Sequence, residues 1–339
     1  MRTFLLFALG LTKFVASSDF DMLDFHSYEE ITKWVNETAE NASTLQNVEV
    51  SLFSMPYHSF EQRPIVGLKI GGAKHNGAVN KSAMFLDAGI HAREHLAPAT
   101  ALWFIQKLIT KSEAGDSAVL GVLRKFDLYV VPLLNPDGYE YSRTTDRMWR
   151  KTRSRGEAAE LQGCIGVDAN RNFEYNGVVG ETEPPCSALY AGPKPFSEPE
   201  TKGLKEFLEA LPRVDVYVSL HTFGQKILLP YGHTIERPED YEEQRLAAAV
   251  IAQGIHATTG AQYVFGSFPD IMYKAGGHSV DYVYSIGVKY PFVIELRPRL
   301  TRRTGAGWGF VVNKSQIKPS GDETFGGVMA LLNHLKDKV

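Results

Sequence analysis

The 339-residue chain has only two cysteines, Cys164 and Cys186. No apolar run in it reaches the roughly 18 residues that a membrane span requires. It lacks a charge excess of either sign: the formal net charge is −3, so no global basic field points to nucleic acid. Internal repeats and low-complexity linkers are missing too. With 44% apolar and 22% charged residues the composition is that of an ordinary globular protein, and the length suits one large domain or two small ones.

What is present begins at the first residues. Arg2 precedes an apolar run over 4–11, and small residues follow at Ala16, Ser17 and Ser18. A charged start, a short apolar core and a small-residue exit make up the layout of a secretory signal, expected over residues 1–18. Glycosylation acceptors at Asn36, Asn41, Asn80 and Asn313 agree with secretion. In an oxidising compartment Cys164 and Cys186 would most simply pair with each other. Closing a loop of that length contributes about 3 kcal/mol when treated as chain entropy.

Apolar, β-rich runs alternate with helical patterns. Residues 83–88, 128–134, 214–220 and 292–296 read as buried strands. Helical patterns lie at 98–110, where Leu102, Ile105 and Leu108 share a face, at 198–211, at 239–259 and at 323–336. Asn135-Pro136-Asp137-Gly138 reads as a turn closing the second strand. This alternation predicts an α/β fold whose central sheet is covered by helices on both faces. In such sheets, binding groups gather just beyond the strand ends.

Chemistry-bearing residues fall at those ends. Gly89-Ile90-His91-Ala92-Arg93-Glu94 follows the first predicted strand directly, and a His and a Glu three apart can converge on one ion from a turn. His221 closes Ser219-Leu220-His221 at the end of the third. Two imidazoles and one carboxylate leave a fourth position open on zinc, which is the ligand set of a catalytic site rather than a structural one. Neither motif is specific alone; their joint placement at core-strand ends is the signal. Glu295 is also out of place inside a buried strand, where an unpaired charge is costly, and that marks it as functional.

At this point the chain resembles the secreted zinc carboxypeptidases of the pancreatic A/B type, over about residues 25–335. The likeness rests on the 89–94 motif, Asn135-Pro136-Asp137-Gly138-Tyr139, Met148-Trp149-Arg150-Lys151-Thr152-Arg153 and Gly166-Val167-Asp168-Ala169-Asn170-Arg171-Asn172-Phe173. It continues at Ser219-Leu220-His221 and at Phe292-Val293-Ile294-Glu295-Leu296-Arg297. The resemblance implies a single catalytic domain, 19–339, built on a twisted mixed sheet, with a Cys164–Cys186 disulfide. It implies one zinc ion on His91, Glu94 and His221, and hydrolysis of the C-terminal peptide bond by a zinc-bound water. Glu295 matches the general base and acid, and Arg150 the group that stabilises the oxyanion. Asn170 and Arg171 match a clamp on the substrate's free carboxylate, a task that suits the planar fork of arginine. Tyr273 matches a tyrosine that closes over substrate, and Arg93 a more distant subsite.

Val280 matches the base of the side-chain pocket. Being neither acid nor base, it predicts preference for apolar or aromatic terminal residues, with Phe268 lining the same pocket. His278 stands where the family usually carries glycine, narrowing or polarising that pocket. Phe25-His26-Ser27-Tyr28 resembles the start of the catalytic domain, so no inhibitory pro-segment is expected after the signal. Arg297-Pro298 replaces an acidic residue that follows a cis peptide in the family; proline lowers the cis penalty, so a cis bond is expected there. Residues 299–303 lengthen the loop after Glu295 and read as a solvated basic segment. The expected partners are peptide or protein C-termini, met outside the cell by a monomer, with no nucleic acid and no membrane span. Rival readings are a non-catalytic peptide-binding protein on the same scaffold and an amidase for a small N-acyl substrate. The intact metal, base and clamp positions argue against both.

Overall fold

The computed structural model describes residues 20–73, 81–156, 163–299 and 308–338. The predicted signal over 1–18, Asn80 and residues 300–303 of the basic loop lie outside the described residues. Strands β1 (Val48–Ser54), β2 (Val66–Gly72), β3 (Ser82–Ala88), β4 (Phe126–Val131), β5 (Val214–Thr222), β6 (Lys226–Leu229), β7 (Val264–Ser267) and β8 (Tyr290–Leu296) form one mixed sheet. Their order across it is β1-β2-β4-β3-β5-β8-β6-β7. The middle of the sheet, β4-β3-β5-β8, is parallel. β1 and β2 run antiparallel to each other, as do β2 and β4, and β6 and β8.

Because side chains alternate across a strand, the sheet feeds two cores. Met84, Leu86 and Ala88 of β3, Val216, Val218 and Leu220 of β5, and Phe292, Ile294 and Leu296 of β8 face one side. There they meet α1 (Tyr28–Glu40), α2 (Leu96–Glu113), α6 (Tyr241–Thr259) and α9 (Ile317–Leu335). Phe85, Tyr217 and Val293 face the other side, against α5 (Pro199–Ala210) and α8 (Ser279–Ser285). Each fully buried Leu, Ile, Val or Phe in these layers contributes roughly 1.5–3 kcal/mol. On this second face, β5 and β8 also carry His221 and Glu295.

The structure differs from the sequence reading in several places. The second predicted strand ends at Val131, before Pro132, which has no N–H to donate to a ladder. Residues 135–138 are the cap and first turn of α4 (Pro136–Thr144), not a free turn: the Asn135 side chain accepts from the Gly138 N–H at 2.9 Å, and Pro136 sits where no donor is needed. α3 (Ser117–Leu123) and α1 were not read from the sequence, nor were β1, β2, β6 and β7. α1 nonetheless carries a full capping box between Ser27 and Glu30. Cys164 and Cys186 are bonded, with Cα atoms 4.9 Å apart, and the Arg297–Pro298 bond is cis; both match expectation. Among the described residues no helix is long and apolar enough to cross a membrane.

Candidate active site

The C-terminal ends of β3, β5 and β8 open onto a cleft of about 330 Å³. After β3 the chain must turn at once. Gly89 makes the turn with φ of 71°, in a space where a Cβ would lie 2.7 Å from the Leu133 side chain. That turn presents His91 and Glu94. His221, near the end of β5, is the register partner of Glu295 on β8, and Lys226 on β6 is its partner on the opposite side. Paired residues project to the same face, so His221, Glu295 and Lys226 form one row across the sheet.

His91, Glu94 and His221 are buried and offer ligand atoms that all lie within 4.8 Å of one another. The two Nδ1 atoms face each other at 3.1 Å; Glu94 reaches His91 Nδ1 at 2.9 Å and His221 Nδ1 at 3.2 Å. The outer nitrogens are also spoken for. His91 Nε2 lies 3.1 Å from Asp168 Oδ1, and His221 Nε2 lies 3.1 Å from Ser219 Oγ, which itself donates to Asp87. Partners on Nε2 leave the Nδ1 lone pairs converging, the arrangement that ligating histidines need. Although burial works against it, the imidazoles of His91 and His221 hold the Glu94 carboxyl far below its ordinary range. Burial, assisted by Arg150, keeps His91 below its ordinary value and therefore neutral. His221 is shifted the other way: against burial, the Glu94 carboxylate holds it above its ordinary value, so zinc would take the place of a proton there, and two imidazoles with one ionised carboxylate fit such an ion.

Asp168 organises the next layer. It is fully buried, and its carboxyl is held well below the usual range because Arg150 and His91 outweigh the effect of burial. It takes two contacts of 2.9 Å from Arg150, one on Nε and one on Nη2, and it accepts from the Asn170 N–H at 3.1 Å. One carboxylate thus fixes His91, Arg150 and the short turn Ala169–Arg171. Asn135 performs a similar task behind the site: its Nδ2 donates to the carbonyls of Ile90 and Lys151, each at 3.1 Å. It ties the loop bearing His91 to the segment bearing Arg150.

One end of the cleft holds a buried cation. The Arg171 guanidinium is only 3% exposed, and its partners are the Asn170 carbonyl at 2.8 Å and the Tyr273 hydroxyl at 3.0 Å. Among the described residues, no carboxylate pairs with it. Asn170 Oδ1 accepts from the Ser279 N–H at 2.9 Å, which turns its amide nitrogen away from that bond. Gly277, at φ of 73°, lies so close that a Cβ would meet the Arg171 carbonyl at 2.1 Å; the chain therefore delivers His278 beside Arg171. His278 and Phe268, on α7 (Phe268–Ile271), line the cleft together with Met272. Val280 is fully buried in the second core, behind the residues that line the cleft.

At the other end Arg93 stacks over Phe310 at 4.1 Å, and Phe310 packs edge-on against Phe223. The sequence reading missed Phe223, Phe310, Met272 and Lys226 as lining groups, and assigned no task to Asp168 or Asn135. Lys226 had one readable signal, a lysine opening an apolar run, Ile227-Leu228-Leu229. Between the two ends lies Glu295. Its Oε2 is buried and, among the described residues, has no hydrogen-bond partner. Burial, opposed by His221 but assisted by Glu94, pushes its carboxyl up to about 7.

Comparison with known proteins agrees with this geometry. The profile of a family described as zinc carboxypeptidase matches residues 22–327. Carboxypeptidase A2 of Rattus norvegicus is 38% identical, over 94% of this chain and 72% of its own length. Carboxypeptidase B of Astacus astacus is 37% identical, over 94% of this chain and 99% of its own. The crystal structure of thrombin activatable fibrinolysis inhibitor superposes with a TM-score of 0.84 at 33% identity, covering 96% of this chain and 77% of that one.

Proposed function

Because the chain belongs to the zinc carboxypeptidase family, we propose that this metallocarboxypeptidase is secreted, acts as a monomer, and removes single uncharged residues, apolar or aromatic, from peptide C-termini. His91, Glu94 and His221 would hold one zinc ion. The observation that carries the exopeptidase reading is Arg171, a buried cation whose partners are a carbonyl and a hydroxyl. A buried charge without a counter-charge is unfavourable, and a substrate's terminal carboxylate supplies one in the bidentate geometry that guanidinium prefers.

Zinc, when bound, acidifies a water molecule and polarises a carbonyl. The protein does the rest. Arg171, Asn170 and the Tyr273 hydroxyl fix the terminal carboxylate, which sets the last peptide bond beside Glu295. Glu295 takes a proton from the attacking water and returns it to the departing amine. Its raised pKa suits both halves of that exchange, because a base poised near neutrality is also a competent acid. Arg150, oriented by Asp168, faces the oxygen on which negative charge develops. Phe268, Met272, His278 and, behind them, Val280 shape the space for the terminal side chain; Arg93 lies toward the upstream residues.

The Cys164–Cys186 bond supports an oxidising destination. Asn41 and Asn313 are exposed acceptors, whereas Asn36 is half-buried on α1. The deciding assay uses N-blocked peptides ending in Phe, Lys or Glu, with and without a zinc chelator. Chelator-sensitive release of the terminal Phe is expected. Release of Lys or Glu in preference would overturn the substrate class, and no release from zinc-loaded protein would overturn the catalytic reading.

A further inference from the structure

Lys226 lines the cleft and is half-buried, yet among the described residues its ammonium makes no hydrogen bond and no ion pair. The guanidinium groups that line the same cleft are all engaged. Arg93 stacks over the Phe310 ring at 4.1 Å and donates to the Met148 carbonyl at 3.4 Å. Arg150 is bound to Asp168 through Nε and Nη2, each at 2.9 Å. Arg171 meets the Asn170 carbonyl and the Tyr273 hydroxyl at the far end. The course of the Lys226 side chain follows from its neighbour. Residues 223–225 cross the end of β8, where the N–H groups of Gly224 and Gln225 both donate to the Leu296 carbonyl, at 2.9 and 3.1 Å. A Cβ on Gly224 would lie 3.6 Å from Lys226 Cγ, 3.3 Å from Cδ and 3.2 Å from Cε. The stem draws nearer to that connection atom by atom. The ammonium thus ends at the crossing that carries Phe223, above Glu295, and not down the sheet face toward Phe268. Glu295 feels the charge without being paired with it.

We infer that Lys226 recognises the side-chain carboxylate of the penultimate residue, so that peptides with Asp or Glu just before the residue released are preferred. The inference deepens the carboxypeptidase reading and rests on it. In that reading the last peptide bond lies beside Glu295, and the terminal residue runs toward Arg171. The residue on the amino side of the bond leaves in the other direction, past the wall of Phe223 and Phe310, whose ring centroids are 5.0 Å apart. Successive Cα atoms are about 3.8 Å apart, so the penultimate side chain starts at the level of Glu295. Lys226 stands on the adjacent strand, a spacing of about 4.8 Å. An Asp or Glu tip there meets an unpaired ammonium next to two aromatic rings, which exclude part of the water and strengthen the attraction. The matching amide gains only a neutral acceptor, and a lysine tip is repelled. The terminal residue itself stays apolar or aromatic, because Lys226 acts on the other side of the bond that is cut.

The test measures kcat/KM of the zinc-loaded full chain on N-blocked peptides that end in Phe and differ only in the penultimate residue, Glu against Gln and Asp against Asn. The expected ratios favour the acids by about fivefold, as for a partly exposed ion pair. In Lys226→Met both ratios should fall to about one, and in Lys226→Arg they should persist. Each ratio is taken within one protein at one pH, so a changed Glu295 or a general loss of activity cancels. If Lys226→Met fails to fold, Lys226→Gln, which keeps a polar tip without the charge, reads the same ratios. Wild-type ratios of one or below would overturn the inference. So would ratios that survive removal of the Lys226 charge, which would trace the preference to zinc and the arginines. Both outcomes leave the carboxypeptidase reading intact, whereas cleavage of none of the peptides would defeat both.

Discussion

Lys226 is the ladder partner of Glu295 on the antiparallel side of β8, opposite the parallel side that carries His221. The proposed base therefore lies between the imidazole of a candidate metal ligand and an ammonium, and both oppose the burial that raises its pKa. The sign of the resulting pH dependence follows. Glu295 acts as a base only when ionised, so kcat/KM rises with pH through its pKa. Removing the Lys226 charge disfavours the carboxylate and moves that acid limb upward. Lys226→Met should shift it by about half a unit to one unit. A kcat/KM profile between pH 5 and pH 9 reads this; a limb that stays put or moves downward contradicts it.

Asp168 does not line the cleft, yet it orients His91 and Arg150 together. Asp168→Ala should weaken zinc retention by about 10- to 100-fold, the range seen when the partner of a ligating histidine is lost. Competition with a graded chelator measures this, with circular dichroism as the check that the chain remains folded.

In the proposed function Arg171 grips the free carboxylate of the substrate. Arg171→Met should lower kcat/KM on free-acid peptides by about 10²–10³, equivalent to about 3–4 kcal/mol. Peptides with amidated C-termini should be poor substrates of the wild type and show little further loss in the variant. Equal losses on both would mean that Arg171 supports the fold of the cleft rather than gripping the carboxylate.

Asn135 caps α4 and bridges the carbonyls of Ile90 and Lys151. Asn135→Ala removes a cap and leaves two buried carbonyls without that donor. A destabilisation of about 2–4 kcal/mol is expected from urea unfolding at fixed zinc concentration. A change below about half a kcal/mol would show that the bridge is not needed.

The sequence was most readable where function is local. His91 with Glu94, Asn170 with Arg171, and His221 each lie in a short string at a strand end, and Glu295 betrayed itself as a charge in an apolar run. Groups whose task depends on distant pairing were not readable. Lys226 acquires its relation to Glu295 only through the register of β6 on β8. Asp168 and Asn135 act on residues 77 and 45 positions away, respectively. Strand β1 alternates buried Val48 and Val50 with exposed residues but breaks the alternation at Ser51-Leu52, both exposed; β2 ends in Gly71-Gly72, which weakens any strand signal. Sequence position pointed to Val280, which packing buries in the second core; that His278 lines the cleft follows only from the fold.

The row of His221, Glu295 and Lys226 is spaced by the hydrogen bonds of adjacent strands, whereas Asn170, Arg171, Phe268, Tyr273 and His278 stand on turns, loops and short helices. The sheet ladder therefore holds Glu295 and one of the three candidate metal ligands, while His91 and Glu94 reach the same point from the turn after β3. A substitution confined to those turns and short helices leaves the pairing of Glu295 with His221 and Lys226 untouched.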